Sequence, residues 1–269
     1  MIKNYFQSSL KWFGNPVNRI GFSATYRPGK ETIFKALDEG INFFFCFGID
    51  TQMIKVLKGL SKTQREQIII ATGAYNYKYF SQDIIKTFYK RCKQLNVDYI
   101  DLFMFLGVLN EKELKPNVIE SLIKLKEDGK IRSTGISTHN RILAGKLAAD
   151  GLFDILMVRY NAAHRGAEKD IFPYVKKQNT GIIAYTATCW RRLLKKPKKW
   201  QQKRIPIAGD CYRFVLSNEN VDICLMAPRN IKEFNENLGQ IRKGKLSDED
   251  FAFMLQFGDY VYEQKHWFM

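Results

Sequence analysis

The chain has 269 residues, of which 45% are hydrophobic and 26% are charged. This composition excludes an intrinsically disordered chain, and the length suits either two ordinary domains or one α/β barrel of about 250 residues. The longest apolar runs, such as Phe43–Phe47, are far shorter than the ~20 residues that cross a bilayer, and the N-terminal segment MIKNYFQSSLKWFG lacks an apolar signal core. We therefore predict a soluble protein of the cytoplasm.

Positive charge dominates the sequence. Lysine and arginine number 43 against 27 aspartates and glutamates, which gives a formal net charge of +16. The imbalance favours anionic partners such as phosphates, nucleic acids or acidic lipids. A solvated lysine-rich surface with no charged partner explains the same composition equally well.

The five cysteines are widely separated, with no C-x-x-C pair and no nearby histidine at metal-ligand spacing. We predict that they are reduced packing residues and that the chain holds no metal. They are Cys46, Cys92, Cys189, Cys211 and Cys224.

Short apolar segments recur about eight times and predict strands. Most are rich in Ile, Val or Phe at successive positions, which is typical of strands covered on both faces of a parallel sheet. The predicted strands are Arg19–Ala24, Asn42–Phe47, Gln67–Thr72, Tyr99–Leu106, Ser133–Ser137, Phe153–Asn161, Thr180–Ala187 and Val221–Met226.

Amphipathic segments between the strands predict helices. Gly40 and Gly129 directly follow two of them, as helix-ending glycines do, and Ser81 with Asp83 marks the start of another. The predicted helices are Glu31–Glu39, Gln52–Leu60, Ser81–Leu95, Glu113–Asp128, Arg141–Ala149, Glu168–Lys177, Asn230–Ile241 and Asp248–Gln264.

Eight alternating units predict one (β/α)8 TIM barrel domain over residues 1–269. The last helix is expected to pack on the outside of the barrel, and the active site is expected at the carboxyl ends of the strands. A doubly wound open sheet is the structural alternative, but no G-x-G-x-x-G follows the first strand.

An ordered series of segments resembles the landmark segments of aldo-keto reductases and covers nearly the whole chain. No single segment is specific, but the order and the intervals of the series are. Aldo-keto reductases are (β/α)8 barrels that bind NADP(H) without a Rossmann motif and reduce carbonyls, so the resemblance implies this fold and cofactor. The segments are Gly21–Ser23, Ala36–Phe43, Ala71–Thr72, Asp98–Leu102, Gly129–Ser137, Arg159–Asn161, Gly181–Tyr185 and Glu236–Leu238.

The resemblance fails at the catalytic residues. The family uses an Asp, a Tyr, a Lys and a His at strand ends, and its Tyr gives a proton to the carbonyl oxygen as hydride arrives. Aligning the segments puts these positions at Phe45, near Asp50, at Gly73 and at Leu106. Loss of a positioned general acid typically costs ~10² to 10⁴ in rate. We therefore predict that carbonyl reduction by the family mechanism is absent or very slow.

Other side chains are alternative proton donors. A protonated Asp50 would need a dry, apolar pocket that raises its pKa by ~3 units. The tyrosines of Tyr75–Tyr79, with Lys78 among them, follow the third strand, where aromatics that pack over the helices would give the same pattern. His164, after the sixth strand, is the catalytic candidate at the barrel rim; a hydrogen-bonded loop histidine is the alternative.

The sixth predicted strand carries an arginine on an inward face. If Asn161 points into the barrel mouth, Met157 and Arg159 share its face by the period of two. Arg159 then needs an anionic partner, which is either a structural carboxylate such as Glu168 or a phosphate or carboxylate of a ligand.

The resemblance implies that several nicotinamide-binding residues are kept. Ser137 matches the residue that hydrogen-bonds the nicotinamide amide, and Thr138 replaces the usual Asn beside it. Asn161 matches the inward Asn of the family, and Tyr185 matches the aromatic that stacks on the nicotinamide ring. Met157 replaces an expected amide-binding Gln.

The adenine end is also partly kept. Glu236 and Asn237 match the pair that reads the adenine, and Arg229 lies where cations meet the 2′-phosphate at the start of the last barrel helix. Ala227 and Pro228 replace the usual turn before the phosphate. We predict a partly retained NADP(H) site, for which an unused remnant on a core and a helix surface is the alternative.

A basic segment, Arg191–Arg204, has the sequence RRLLKKPKKWQQKR. It occupies the loop that clamps the pyrophosphate in many aldo-keto reductases. Such a run is usually solvated, but it would also suit phosphates, with Trp190 and Trp200 stacking on a base. Nucleic acid is a weak option because no recognised binding fold accompanies the segment.

Three functional hypotheses remain open at this point. The first is a barrel with part of the nucleotide site that senses, carries or scaffolds. The second is an NADP(H)-dependent oxidoreductase with a non-standard proton donor. The third is an anion or nucleic-acid binding protein that uses Arg191–Arg204. The expected partner is a nucleotide or another anionic small molecule, with no membrane.

Overall fold

The computed structural model describes residues 4–76 and 83–264. Its strands are β1 (Gln7–Ser8), β2 (Val17–Asn18), β3 (Ile20–Ser23), β4 (Phe43–Phe45), β5 (Ile69–Tyr75), β6 (Ile100–Val108), β7 (Ile131–Thr138), β8 (Ile155–Arg159), β9 (Gly181–Tyr185) and β10 (Ile223–Met226). Strands β3 to β10 are parallel neighbours that close into a barrel, with β10 beside β3. The eight predicted strands and the (β/α)8 architecture are confirmed.

Helices surround the barrel. They are α1 (Lys30–Asp38), α2 (Thr51–Lys58), α3 (Lys62–Gln67), α4 (Ile84–Leu95), α5 (Pro116–Glu127), α6 (Arg141–Asp150), α7 (Ala167–Asp170), α8 (Phe172–Gln178), α9 (Ala208–Ser217), α10 (Ile231–Ile241) and α11 (Asp248–Glu263). Gly40 and Gly129 follow α1 and α5 with φ of 79° and 66°, which glycine adopts at no steric cost. Asp83 caps α4, whereas the start predicted at Ser81 lies outside the described residues.

Two predicted helix boundaries are wrong, and a proline explains each of them. The predicted helix Glu168–Lys177 is two helices, because Pro173 fits only the first turn of α8. The predicted helix Glu113–Asp128 begins at Pro116, since the residue before proline avoids helical backbone. The short polar helix α3 has no apolar stripe, and its main sequence signal is the capping box of Ser61 and Gln64.

Alternate strand residues build two apolar cores. Phe43 and Phe45 lie in the core inside the barrel, while Phe44 lies in the core between the strands and the helices. Strands β1 and β2 pair antiparallel, and the loop between them adds Leu10 and Phe13 to the inner core. The loop therefore plugs the amino end of the barrel.

Buried carboxylates hold the amino ends of the strands. Asp101 is fully buried, accepts a hydrogen bond from the Ile70 N–H and pairs with Arg65 at 2.7 Å. Asp222 likewise accepts hydrogen bonds from the Ile182 N–H and from the Ser8 hydroxyl, both at 2.8 Å. These bonds link neighbouring strands and the N-terminal hairpin.

Helix α11 packs on the outside of the barrel, as predicted for a C-terminal helix. A β-carbon at Gly258 would lie 2.2 Å from the Ala162 carbonyl oxygen, so glycine is required for this close approach. Within residues 4–76 and 83–264, no helix is long and apolar enough to cross a membrane. The same residues contain no group of three or more His, Cys, Asp or Glu placed to hold a metal ion.

Candidate functional site

A pocket of about 300 Å³, here called the mouth pocket, opens at the carboxyl ends of the barrel strands. Apolar and aromatic side chains provide most of its lining, and the active sites of (β/α)8 barrels lie at this end. The lining residues are Ser23, Thr25, Tyr26, Phe45, Phe47, Tyr75, Leu106, Gly107, Ser137, His139, Met157, Tyr185, Thr186, Ala187, Thr188, Trp190, Tyr212, Leu225 and Ala227.

Two of the four positions aligned with the family's catalytic residues line the mouth pocket with apolar side chains. These are Phe45 and Leu106, which belong to the inner core. Asp50 lies just before α2, outside the pocket lining, and its carboxylate accepts a hydrogen bond from the Phe47 N–H at 3.1 Å. Burial raises the pKa of Asp50, but the carboxyl group does not reach the pocket lining.

The fourth position, Gly73, has no room for a side chain. A β-carbon there would lie 2.1 Å from the Met104 carbonyl oxygen on β6. Because the obstacle is backbone and not a mobile side chain, strand β5 must move before a lysine could occupy this position.

Tyr75 is a polar aromatic residue on the same strand as Gly73. It follows Gly73 by two positions on β5 and is paired in register with Leu106 on β6. Its ring packs 4.8 Å from that of Phe47, and both rings line the mouth pocket. The rest of the segment Tyr75–Tyr79 proposed as proton donors, Tyr77 and Tyr79 with Lys78, lies outside the described residues.

His139 is a pocket residue that sequence reasoning missed. It lies at the exposed rim of the mouth pocket, with its ring edge-on to that of Tyr185 at 5.3 Å. Partial desolvation, and then the charge of Arg159, lower its pKa. The period of two from Ser137, a residue already assigned to the cofactor, would have placed His139 on the same face.

The residues assigned to the nicotinamide end separate into two groups. Ser137 and Tyr185 line the mouth pocket, and the Ser137 hydroxyl accepts a hydrogen bond from the Gly107 N–H at 2.9 Å. Burial raises the pKa of Tyr185 above its usual range, so its phenol is neutral. Thr138 is buried on the other face of β7, where its hydroxyl accepts from the Asn140 N–H.

Asn161 and His164 form a buried turn beyond β8, outside the pocket lining. The Asn161 amide donates to the Thr186 carbonyl and accepts from the His164 N–H. Nδ1 of His164 lies 3.2 Å from the Asn161 side-chain oxygen and 3.7 Å from the Cys189 sulfur. Burial lowers the pKa of His164 to about 4. Glu168, considered as a partner of Arg159, accepts a hydrogen bond from the Tyr160 hydroxyl at 2.6 Å.

A second opening of about 280 Å³, here called the side cleft, adjoins the mouth pocket. The two share Tyr26, Thr188, Tyr212 and Ala227 in their linings. The rest of the side cleft is lined by Arg191, Leu194, Ile207, Ala208, Gly209, Glu233, Glu236, Asn237 and Gln240. The predicted adenine pair, Glu236 and Asn237, therefore lies along one groove with Ser137 and Tyr185.

An ion-pair cluster lies at the start of α10, where two of its members, Arg191 and Glu233, line the side cleft. Nε and Nη2 of Arg229 donate to Oε1 of Glu233 at 2.9 and 2.7 Å, and the Arg229 N–H donates to Oε2 at 2.9 Å. Nη1 of Arg191 lies 3.4 Å from the same Oε1. Arg229, the predicted 2′-phosphate residue, is thus bound to Glu233 in this structure.

The comparison with known sequences decides the family. A profile of the Aldo/keto reductase family matches residues 29–203. The chain belongs to the aldo/keto reductase family. An aldo-keto reductase of Mycobacterium sp. (strain KMS) is 26% identical over 140 residues, which are 48% of this chain and 50% of that protein. The chain thus spans about half the length of this curated relative.

Solved structures of aldo/keto reductases share the barrel. The holo form of an aldo-keto reductase from Bacillus halodurans is 18% identical, with a TM-score of 0.77 over 93% of this chain and 95% of that one. An aldo/keto reductase from Klebsiella pneumoniae, solved in complex with NADP and acetate, is 17% identical with a TM-score of 0.72, over 91% and 92% of the two chains. At this identity the likeness shows the fold.

One residue of the basic segment Arg191–Arg204, Trp200, does not have its predicted role. Trp200 is 3% exposed, packs against the Phe257 ring at 4.9 Å and donates its indole N–H to the Arg204 carbonyl. It is therefore part of the core beneath α11, and the prediction that it stacks on a base is wrong. Trp190 is 58% exposed and lines the mouth pocket.

A cavity of about 350 Å³ lies away from the mouth, next to the N-terminal hairpin of this family member. Its walls include Arg19, Lys176, Glu219 and Lys245. The Arg19 guanidinium donates hydrogen bonds to the backbone carbonyls of residues 4, 5, 218 and 221. Arg19 therefore ties the hairpin to the end of the barrel that carries no predicted site residue.

Proposed function

We propose that the chain binds an NADP(H)-type dinucleotide along the mouth pocket and the side cleft, and that it does not reduce carbonyls at an appreciable rate by the family mechanism. The observation that carries this proposal is that the two openings adjoin and share four wall residues. Ser137 and Tyr185 lie at one end of the groove, and Glu236 and Asn237 lie at the other.

The residues of the mouth pocket fit a nicotinamide. Tyr185 offers an aromatic ring at the pocket wall, where a flat heterocycle can stack. The Ser137 hydroxyl accepts from the Gly107 N–H, so its own proton is available to donate to a carboxamide oxygen. When bound, the dinucleotide supplies hydride. The solved Klebsiella pneumoniae relative holds NADP in the same fold.

The loop after β9 supports a binding role for this groove. Four of its non-glycine residues have positive φ, a backbone conformation that is rare outside glycine: Thr186, Cys189, Trp190 and Arg191. Such strained conformations cluster at ligand-binding sites. Trp190 and Arg191 lie in the linings of the two openings.

Proton supply limits the chemistry. Phe45 and Leu106, aligned with the family's Asp and His, line the pocket with apolar side chains. At Gly73, aligned with the family's Lys, the backbone of β6 leaves no room for a side chain. Loss of the family's positioned acid typically lowers the rate by ~10² to 10⁴. We therefore propose a sensing, carrying or scaffolding role. The cytoplasmic setting and the single domain over residues 1–269 stay predictions.

Ligand titration tests the proposal. NADPH should quench tryptophan emission saturably, because Trp190 lines the mouth pocket. Tyr185→Ala should raise the Kd for NADPH about tenfold through loss of stacking, whereas Tyr174→Ala, on the outer surface of α8, should leave it unchanged. NADPH absorbance should stay constant with a panel of aldehydes and quinones. Absence of saturable NADPH binding at millimolar concentration would overturn the proposal.

A second candidate function is an NADP(H)-dependent oxidoreductase with a non-standard proton donor. Tyr75 and His139 line the mouth pocket, whereas His164 does not. Turnover that is lost in Tyr75→Phe or His139→Gln and kept in His164→Gln would favour this function. For the third hypothesis, nucleic-acid binding by Arg191–Arg204, the burial of Trp200 removes one of the two proposed stacking residues.

A further inference from the structure

We infer that Glu233 sets the choice between the two nicotinamide dinucleotides: its carboxylate occupies the arginines that a 2′-phosphate needs, so NAD(H) binds at least as well as NADP(H). The inference rests on the proposed function, because it assumes that the groove binds a dinucleotide. It concerns the adenosine end of the groove only.

The position of Glu233 on α10 brings it next to the predicted adenine residues. Glu233 and Glu236 are three positions apart on one helix, so they are neighbours on its surface, and both line the side cleft. An adenine held by Glu236 and Asn237 therefore carries its ribose past Glu233. The 2′ substituent of that ribose is the single group that distinguishes NADP(H) from NAD(H).

The two arginines next to Glu233 already interact with its carboxylate. Glu233 receives three hydrogen bonds from Arg229, two from the guanidinium and one from the backbone, and lies 3.4 Å from Arg191. Burial by itself would raise the pKa of Glu233, but the hydrogen bonds from Arg229 outweigh this effect and the pKa is lowered. Glu233 is therefore ionised at neutral pH.

An ionised carboxylate acts in opposite ways on the two ligands. It can accept a hydrogen bond from a ribose 2′-hydroxyl, as acidic residues do in other NAD-binding sites. It repels a 2′-phosphate and competes with it for Arg229, because both are oxyanions that suit the same guanidinium fork. Glu233 thus lowers the affinity for NADP(H) and not that for NAD(H).

The test compares the affinities of Glu233→Gln and wild type for NADPH and NADH. Glutamine keeps the size and hydrogen-bonding capacity of Glu233 but removes its charge. We expect the wild-type Kd for NADH to be no higher than that for NADPH, and Glu233→Gln to bind NADPH about tenfold more tightly without tighter NADH binding. ADP and adenosine 2′,5′-bisphosphate repeat the comparison without the nicotinamide.

Glu39→Gln is the matched control. Glu39 also accepts from an arginine, Arg242, and pairs with Lys35 one helical turn away, but it lies outside both openings. Its substitution should leave both affinities unchanged. Thermal unfolding of each variant establishes that the barrel is folded before the titrations are compared.

The outcomes separate the two proposals. If the wild type binds a dinucleotide and the ratio of the NADPH and NADH affinities is the same in Glu233→Gln, the inference about Glu233 is wrong and the proposed function stands. If neither the dinucleotides nor the two adenosine fragments bind to any variant, the proposed function fails and the inference fails with it.

Discussion

The two ends of the barrel differ in how they use buried polar groups. At the amino end, Asp101 and Asp222 accept hydrogen bonds from strand N–H groups, and Arg65 neutralises the first of them. At the carboxyl end, Phe45 and Leu106 line the mouth pocket, at two positions that the resemblance aligns with the family's catalytic Asp and His. Buried charge thus fixes neighbouring strands at the amino end, whereas Phe45 and Leu106 make part of the mouth pocket apolar.

The largest expected effect tests the amino end. Asp101→Ala leaves the Arg65 guanidinium buried without its carboxylate and should lower the free energy of unfolding by about 3–5 kcal/mol. Chemical denaturation measures this loss. Asp50→Ala at the other end is the comparison and should cost about 1 kcal/mol, since Asp50 is half-buried and accepts one backbone hydrogen bond. Equal losses would contradict the distinction between the two ends.

The second-largest expected effect is a loss of stability at acidic pH, caused by His164 beside the mouth pocket. Burial lowers the pKa of His164 to about 4, whereas an unfolded histidine titrates near 6.5. Between these values the unfolded chain binds a proton that the folded chain does not, so the free energy of unfolding should fall by about 2 kcal/mol as pH drops from 6.5 to 4. Denaturation curves across this range measure the fall.

His164→Gln provides the control for the acid sensitivity. Glutamine keeps a polar side chain within reach of Asn161 but does not titrate, so the His164 contribution to the pH dependence should disappear. A pH dependence that is identical in the variant and the wild type would show that another group causes it.

Two serines on β7 allow the two ends of the barrel to be compared on a single strand. The Ser133 hydroxyl donates to the Asp101 carbonyl near the amino end of the strand, and the Ser137 hydroxyl accepts from the Gly107 N–H at the mouth. Either alanine substitution should cost about 1 kcal/mol of stability. Only Ser137→Ala should weaken NADPH binding, measured by tryptophan quenching. Equal weakening by both variants would place the ligand elsewhere.

The smallest effect concerns exposed ion pairs near the amino end. Lys126 pairs with Asp154 at 2.6 Å, but the lysine side chain is 39% exposed. Lys126→Met should change the free energy of unfolding by less than about 1 kcal/mol, as exposed pairs usually do. Lys124→Met, which breaks a more exposed pair with Asp128, is the reference in the same denaturation assay. A loss comparable to that of Asp101→Ala would show that surface pairs matter as much as buried ones.

The fold could be predicted because its signal is local. Successive apolar residues, as in Phe43–Phe45, indicate a strand covered on both faces, and the alternation of such strands with amphipathic segments gives the barrel. Boundaries set by proline, such as the start of α8 next to Pro173, depend on single residues and were less well predicted.

The candidate site was only partly predictable because its roles depend on distant contacts. Ser137 and Tyr185 line the mouth pocket and Glu236 and Asn237 line the side cleft, but their cofactor roles stay predictions. The pairing of Glu233 with Arg191 joins residues 42 positions apart, which no local pattern indicates.

The burial of Trp200 and His164 also depends on residues that are distant in the sequence. Trp200 and His164 are covered by rings from α11, namely Phe257 and Tyr262, which lie far along the chain. Hydrophobic periodicity predicts that such a helix exists and not which side chains it covers.

The backbone contact at Gly73 limits how a lysine could be introduced at the position that the resemblance aligns with the family's catalytic Lys. Strands β5 and β6 are in register from Ala71 to Tyr75, and a β-carbon at Gly73 would collide with the Met104 carbonyl within this paired stretch. Introducing a lysine at residue 73 by one substitution would therefore force apart two hydrogen-bonded strands. An engineered variant with a lysine at this position therefore needs a change in the backbone of β5 or β6 before the substitution itself.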